Sequence, residues 1–171
     1  DPVWERGATE PLRFRIVDEA GEPVSDFDTA HTKRMHAIVV RRDLTGFQHL
    51  HPRIAADGTW SAPLNLAEAG TYRVFADFSH AGEATTLAGD LRVDGDTDLR
   101  ELPAPAPRTL SRPGGYEVAL GSGGAHGGAH AGEEMGLRFA VSRGGRPAAL
   151  QPYLGAGGHL VALREGDLAF L

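Results

Sequence analysis

Three observations predict an all-β chain of two tandem immunoglobulin-like β-sandwiches, the second truncated. Short apolar runs alternate with Gly, Pro and Asp turns, and no stretch carries an amphipathic helical period. Residues 35–52, MHAIVVRRDLTGFQHLHP, read as a β-hairpin: β-branched residues, a polar turn, then a second short run. That hairpin returns near the end, where HLVALREGDLAFL at 159–171 matches HAIVVRRDLTGFQ at 36–48. Leu12-Arg13-Phe14 likewise matches Leu137-Arg138-Phe139, and Gly21-x-Pro23 matches Gly145-x-Pro147. Self-similarity at so long a period reads as a duplicated domain, not a solenoid. The expected division is a first sandwich over residues 1–96, a Pro-rich linker over 97–113 and an incomplete second sandwich over 114–171.

Taken in order, residues 1–11 are polar, with Trp4 as their one anchor. Residues 12–17 alternate apolar Leu12, Phe14 and Ile16 with Arg13 and Arg15, the pattern of a strand with one wet face. Residues 19–23 form a turn, and 26–34 a polar loop holding His31. A four-residue hairpin loop at 43–46 would pair Val40 with His49 and Ile38 with His51. Asp57-Gly58 turns the chain before Trp60, and residues 63–66 are a short apolar piece. Residues 71–78, TYRVFADF, are the clearest strand outside the hairpin, with Phe75 and Asp77 on the face opposite Tyr72, Val74, Ala76 and Phe78. Residues 80–83 turn, and 85–93 return as a strand. About seven short strands in roughly 95 residues suit an immunoglobulin-like sandwich. In the second half, strands are expected at 116–120, 137–141 and 159–163, with a glycine-rich loop at 121–132 holding His126 and His130.

Composition narrows the function classes. A net charge of −6 with no basic cluster argues against nucleic acid as a partner. The absence of cysteine removes disulfides, thiolate metal sites and a cysteine nucleophile. No apolar run reaches the length of a membrane span. The sequence opens at Asp1 and stops inside the second copy, as an excised piece of a longer protein would.

Histidine carries the chemistry. His49 and His51 lie on one strand face, about 7 Å apart along the strand, and strand parity puts His36 on the same face of the hairpin. Two imidazoles from one strand and a third from its neighbour suit Cu(II) or Zn(II). His80, at the end of another strand, is a candidate fourth ligand. The competing reading makes these histidines hydrogen-bonded structural residues of an interaction or adhesion module. Met35 falls on the opposite face from His36 and reads as core. An HxH pair also occurs in cupin-type metalloenzymes, but a glutamate follows it there and residues 53–56 hold none. No serine elbow, nucleophile–base pair or HExxH appears, so no enzymatic activity is expected.

KRMHAIVVRRDLTGFQHLHP, DGTW, AGTYRVFADF and LQPYLGAGGHLVALREGDLAFL together resemble tandem-domain secreted or lipid-anchored bacterial proteins of the YtkA-like and CopC-like type. The resemblance implies an immunoglobulin-like fold, an extracellular or cell-envelope location and heavy-metal handling, chiefly of copper. Members of that kind continue past the final strand with an HxHP, so a second site centred on His159 is expected to be incomplete here. A copper site built on an N-terminal histidine does not carry over, because residue 1 is Asp1. The expectation is an exported, non-enzymatic metal-binding protein using His36, His49, His51 and His80. Its partners would be a metal ion and whatever covers the incomplete second domain.

Overall fold

The computed structural model describes residues 3–106, 108–111, 114–122, 132–133 and 135–171. Among these the chain is all-β, with no helix. It divides into two compact units, Asp1–Leu102 together with Pro152–Leu171, and Pro103–Gln151.

The first unit is a β-sandwich. One sheet runs in the order β1-β8-β7-β3-β4, from β1 (Val3–Trp4), β8 (Glu83–Val93), β7 (Gly70–His80), β3 (His36–Arg41) and β4 (Gln48–Leu50). The other runs β2-β6-β5, from β2 (Thr9–Phe14), β6 (Trp60–Asn65) and β5 (Arg53–Ile54). Alternation along each strand supplies the core between them. Trp4, Leu12, Val39, Leu64, Tyr72, Leu91 and Val93 pack at one end. Ile16, Phe27, Met35, Trp60, Ala76 and Phe78 pack at the other, with Phe27 edge-on to both Trp60 and Phe78. Met35 is fully buried there, as its parity with Ala37 and Val39 requires.

Strand β3 is buried along its whole length. Ala37 and Val39 face the sandwich core, while Ile38 and Val40 look out from the other face of the sheet and pack with Phe75 and Leu168. Leu168 is 0% exposed, and Val161, Leu163 and Phe170 complete this second apolar layer. The segment Pro152–Leu171 therefore serves as a cover on the outer face of β3 and β7. It has no strand; its backbone is tied by the bridges Tyr153↔Ala156 and Leu163↔Phe170, and the Asp167 carbonyl accepts from Arg73 at 2.9 Å.

The second unit is one antiparallel sheet in the order β12-β11-β10-β9, built from β9 (Arg108–Ser111), β10 (Tyr116–Ser122), β11 (Leu137–Arg143) and β12 (Arg146–Pro147). Cross-strand register puts Val118 opposite Val141 and Leu120 opposite Phe139.

The compact units group Pro152–Leu171 with Asp1–Leu102, whose outer β3 face that segment covers. Two expectations are corrected. Residues 108–111, expected within an extended linker, pair with β10, whose free edge offers unsatisfied backbone groups. Residues 159–163 form no strand; Leu163 makes only an isolated bridge to Phe170, and the side chains of Val161 and Leu163 pack on the outer face of β3.

Candidate metal centre

The β3–β4 connection sets the site. Observed register pairs Ile38 with His49 and Ala37 with Leu50, two residues away from the expected pairing. The loop is longer than four residues because Asp43 organises it. Its carboxylate accepts from the Thr45 backbone at 3.1 Å and hydroxyl at 2.6 Å, and from the Arg41 guanidinium at 3.0 Å. Leu44 and Gly46 both take φ of 63° to close the turn. A two-residue shift preserves parity, so the histidines keep their face. Leu50 points inward to the core, which turns His49 and His51 outward beside His36.

Ring centroids lie 5.3 Å apart for His36 and His49, 5.1 Å for His36 and His51, and 4.9 Å for His49 and His51. One ligand nitrogen from each of the three lies within 4.8 Å of the other two. His36 Nδ1 and His49 Nε2 are 3.1 Å apart. Nitrogens bound to one tetrahedral zinc at 2.0–2.1 Å stand about 3.3 Å from each other, so that pair needs almost no movement. His36 Nε2 faces the Ala30 carbonyl at 3.3 Å. As the N–H donor there, it leaves Nδ1 with a lone pair aimed at the centre, the outer hydrogen bond that commonly orients a metal-bound imidazole. His51 Nε2 is buried without a hydrogen-bond partner. An unpaired buried nitrogen costs about 1–3 kcal/mol, and a metal ion would satisfy it. The donor set fits a borderline cation that prefers imidazole.

Burial favours the neutral forms of His49 and His51, and neutral imidazole is the ligand form. Burial, then the neighbouring His36 and His159, hold His49 below the usual histidine value, partly opposed by Asp77. Burial, then His49, His36, Lys33 and His159, push His51 down to about 4.

His80 does not join this group. Ala76 and Phe78 of β7 face the core, so parity points His80 away from the face that carries His36. Its Nδ1 instead lies 2.7 Å from the Asp26 carbonyl, beside the Phe27 ring. His126 and His130 lie outside the described residues.

Two further histidines approach the cluster. His159, in the covering segment, has its ring 6.4 Å from His36 and 6.2 Å from His49. His31 is 6.1 Å from His36 and 5.4 Å from His159. The polar-loop reading of His31 missed its turn: Ala30 and Lys33 exchange backbone hydrogen bonds at 2.8 and 3.0 Å around His31 and Thr32, which both have positive φ. This two-residue turn swings His31 back toward the strand. The signal for His159 was the outer-face apolar set Ile38, Val40 and Phe75, which demands a cover.

Among the described residues, no helix is long and apolar enough to cross a membrane. Comparison with curated proteins and with solved structures gives no match. A family model, a domain of unknown function (DUF8832), matches residues 3–95 and 111–171, which include His36, His49, His51 and His159. The chain therefore belongs to the DUF8832 family.

Proposed function

We propose that this chain is a non-enzymatic metal-binding protein that holds Cu(II) or Zn(II) through His36, His49 and His51. The observation that carries this reading is the convergence of imidazole nitrogens of His36, His49 and His51 within 4.8 Å, with the Nε2 of His51 buried and without a hydrogen-bond partner. No carboxylate belongs to that group, which disfavours hard, oxygen-seeking cations such as Mg²⁺ or Ca²⁺. The YtkA-like and CopC-like resemblance supports copper as the cargo and an exported or envelope-anchored location. Isothermal titration of the 171-residue chain with Zn(II) and Cu(II) tests it. One equivalent should bind the parent chain, and a His49→Ala/His51→Ala double variant should lose it. Equal affinity in the double variant sinks the proposal.

A second reading is a β-sandwich interaction module in which the histidines are structural. The His36–His49 contact at 3.1 Å and the His36–Ala30 contact at 3.3 Å favour it, since both can form without metal. It leaves the unpaired His51 nitrogen unexplained.

A further inference from the structure

We infer that His159 is the fourth ligand of this centre, so that metal binding clasps Pro152–Leu171 onto the outer face of the first sandwich. The inference rests on the metal-binding reading above and names what that site holds together.

The covering segment has a reason to need a clasp. Its attachment depends on a few apolar side chains around Leu168 and one carbonyl hydrogen bond from Arg73, with no β-ladder to the sheet beneath. Tyr153 and Leu160, on either side of His159 in the segment, are 60% and 58% exposed. Such a segment opens at low free-energy cost. Its one end that meets coordinating chemistry is His159, which reaches the mouth of a pocket of about 110 Å³ lined by His31, His36, His49 and Asp77.

His159 is also prepared as a ligand. Its Nε2 lies 3.0 Å from the Tyr153 carbonyl. Acting as donor there, it fixes the tautomer that leaves Nδ1 free, the same outer hydrogen bond that Ala30 provides to His36. Its ring is only slightly farther from His36 and His49 than those two are from each other. His31 is the weaker candidate. It is exposed, it sits on a positive-φ turn, and no hydrogen bond orients its ring toward the cluster.

The sequence correspondence gives this a simple geometry. His159, Val161 and Leu163 stand where His36, Ile38 and Val40 stand in the matching stretch. The structure packs the apolar members of both stretches into one cluster and brings the two histidines to its edge. Four imidazoles close the coordination sphere of Zn(II) and suit Cu(II) equally, as expected of a site that holds a metal and keeps no open position for substrate.

Co(II) serves as a spectroscopic stand-in for Zn(II), and amide hydrogen exchange on the 171-residue chain reports the clasp. With Zn(II), amides of 159–171 should gain at least tenfold protection in the parent. In His159→Ala and His159→Gln variants that gain should vanish, Zn(II) affinity should fall tenfold or more, and the Co(II) visible band should change shape. A His31→Ala variant should behave as the parent. Circular dichroism in chelator confirms that each variant is folded. If the parent binds no metal, the metal-binding reading itself fails. If the parent binds and the His159 variants keep its affinity, Co(II) band and protection, the triad stands and the clasp is refuted. Loss in His31→Ala with none in His159→Ala also refutes it.

Discussion

His36 Nδ1 and His49 Nε2 lie 3.1 Å apart across neighbouring strands, each ring carried by backbone whose alternate side chains are locked in the sandwich core. Without metal, one proton bridges the two nitrogens. A cation can take the place of that proton with little rearrangement. The same pair of residues is therefore joined without metal and would supply two ligands under the proposed function.

His51 should show the cost of this arrangement. Its buried Nε2 has no partner, so His51→Leu removes an unsatisfied group and should leave the metal-free protein unchanged or more stable by up to about 1–2 kcal/mol. Urea unfolding in chelator measures this. A large loss of stability would mean that His51 is a structural residue.

The metal-free protein should lose stability on mild acidification. The folded-state values of His49 and His51 are lowered, that of His51 to about 4, while the unfolded chain titrates near 6.5. The unfolded state then binds more protons between those values, so stability falls as pH drops from about 6.5 towards 4. Thermal melts in chelator should show that slope, and the His49→Ala/His51→Ala variant should flatten it. A slope unaltered by the double substitution would contradict the assignment.

The loop that aligns the hairpin depends on a buried ion pair. Arg41 and Asp43 have side chains only 2% exposed, and Arg41 also reaches Glu68 at 2.9 Å and the Ala69 and Asp98 carbonyls at 3.2 Å. Burial opposes ionisation of Asp43, but the Arg41 guanidinium, the Arg100 N–H and Thr45 hold its carboxyl well below the usual range. Removing one partner of such a pair costs about 3–5 kcal/mol. Asp43→Ala should therefore destabilise by that order in urea unfolding, far more than the exposed Asp57→Ala, whose Arg15 pair lies in solvent. Equal effects would mean that the buried network contributes nothing.

The second unit carries an apolar face of Leu120, Phe139 and Leu137 at 42–45% exposure, with Val118 and Val141 between the edges. That face should drive concentration-dependent self-association, visible in sedimentation velocity. Leu120→Arg/Phe139→Glu should weaken it. A monomer at every concentration would contradict this prediction.

Much of the fold was legible because strands and turns write themselves locally. The turn before Trp60 and the TYRVFADF strand stand where periodicity placed them, and Leu12, Phe14 and Ile16 do turn inward, although the strand runs Thr9–Phe14 and not 12–17. The triad was legible because parity survives a register error of two, even though the loop held together by Asp43 was misjudged. His80 is excluded by the same parity: it alternates with Ala76 and Phe78, which face the core, and so lies on the face opposite His36. The unit boundary was hidden because it depends on what covers Ile38, Val40 and Phe75. Long-range burial of that kind leaves only an indirect mark, a strand apolar on both faces.

The most direct test is zinc-dependent stability. At free Zn(II) a hundredfold above its dissociation constant, binding to the folded state should add about 2.7 kcal/mol to unfolding free energy. The parent chain should show that gain in urea unfolding with and without Zn(II), and the His49→Ala/His51→Ala variant should show none. No gain in the parent, or the same gain in the double variant, would contradict a metal centre at His36, His49 and His51.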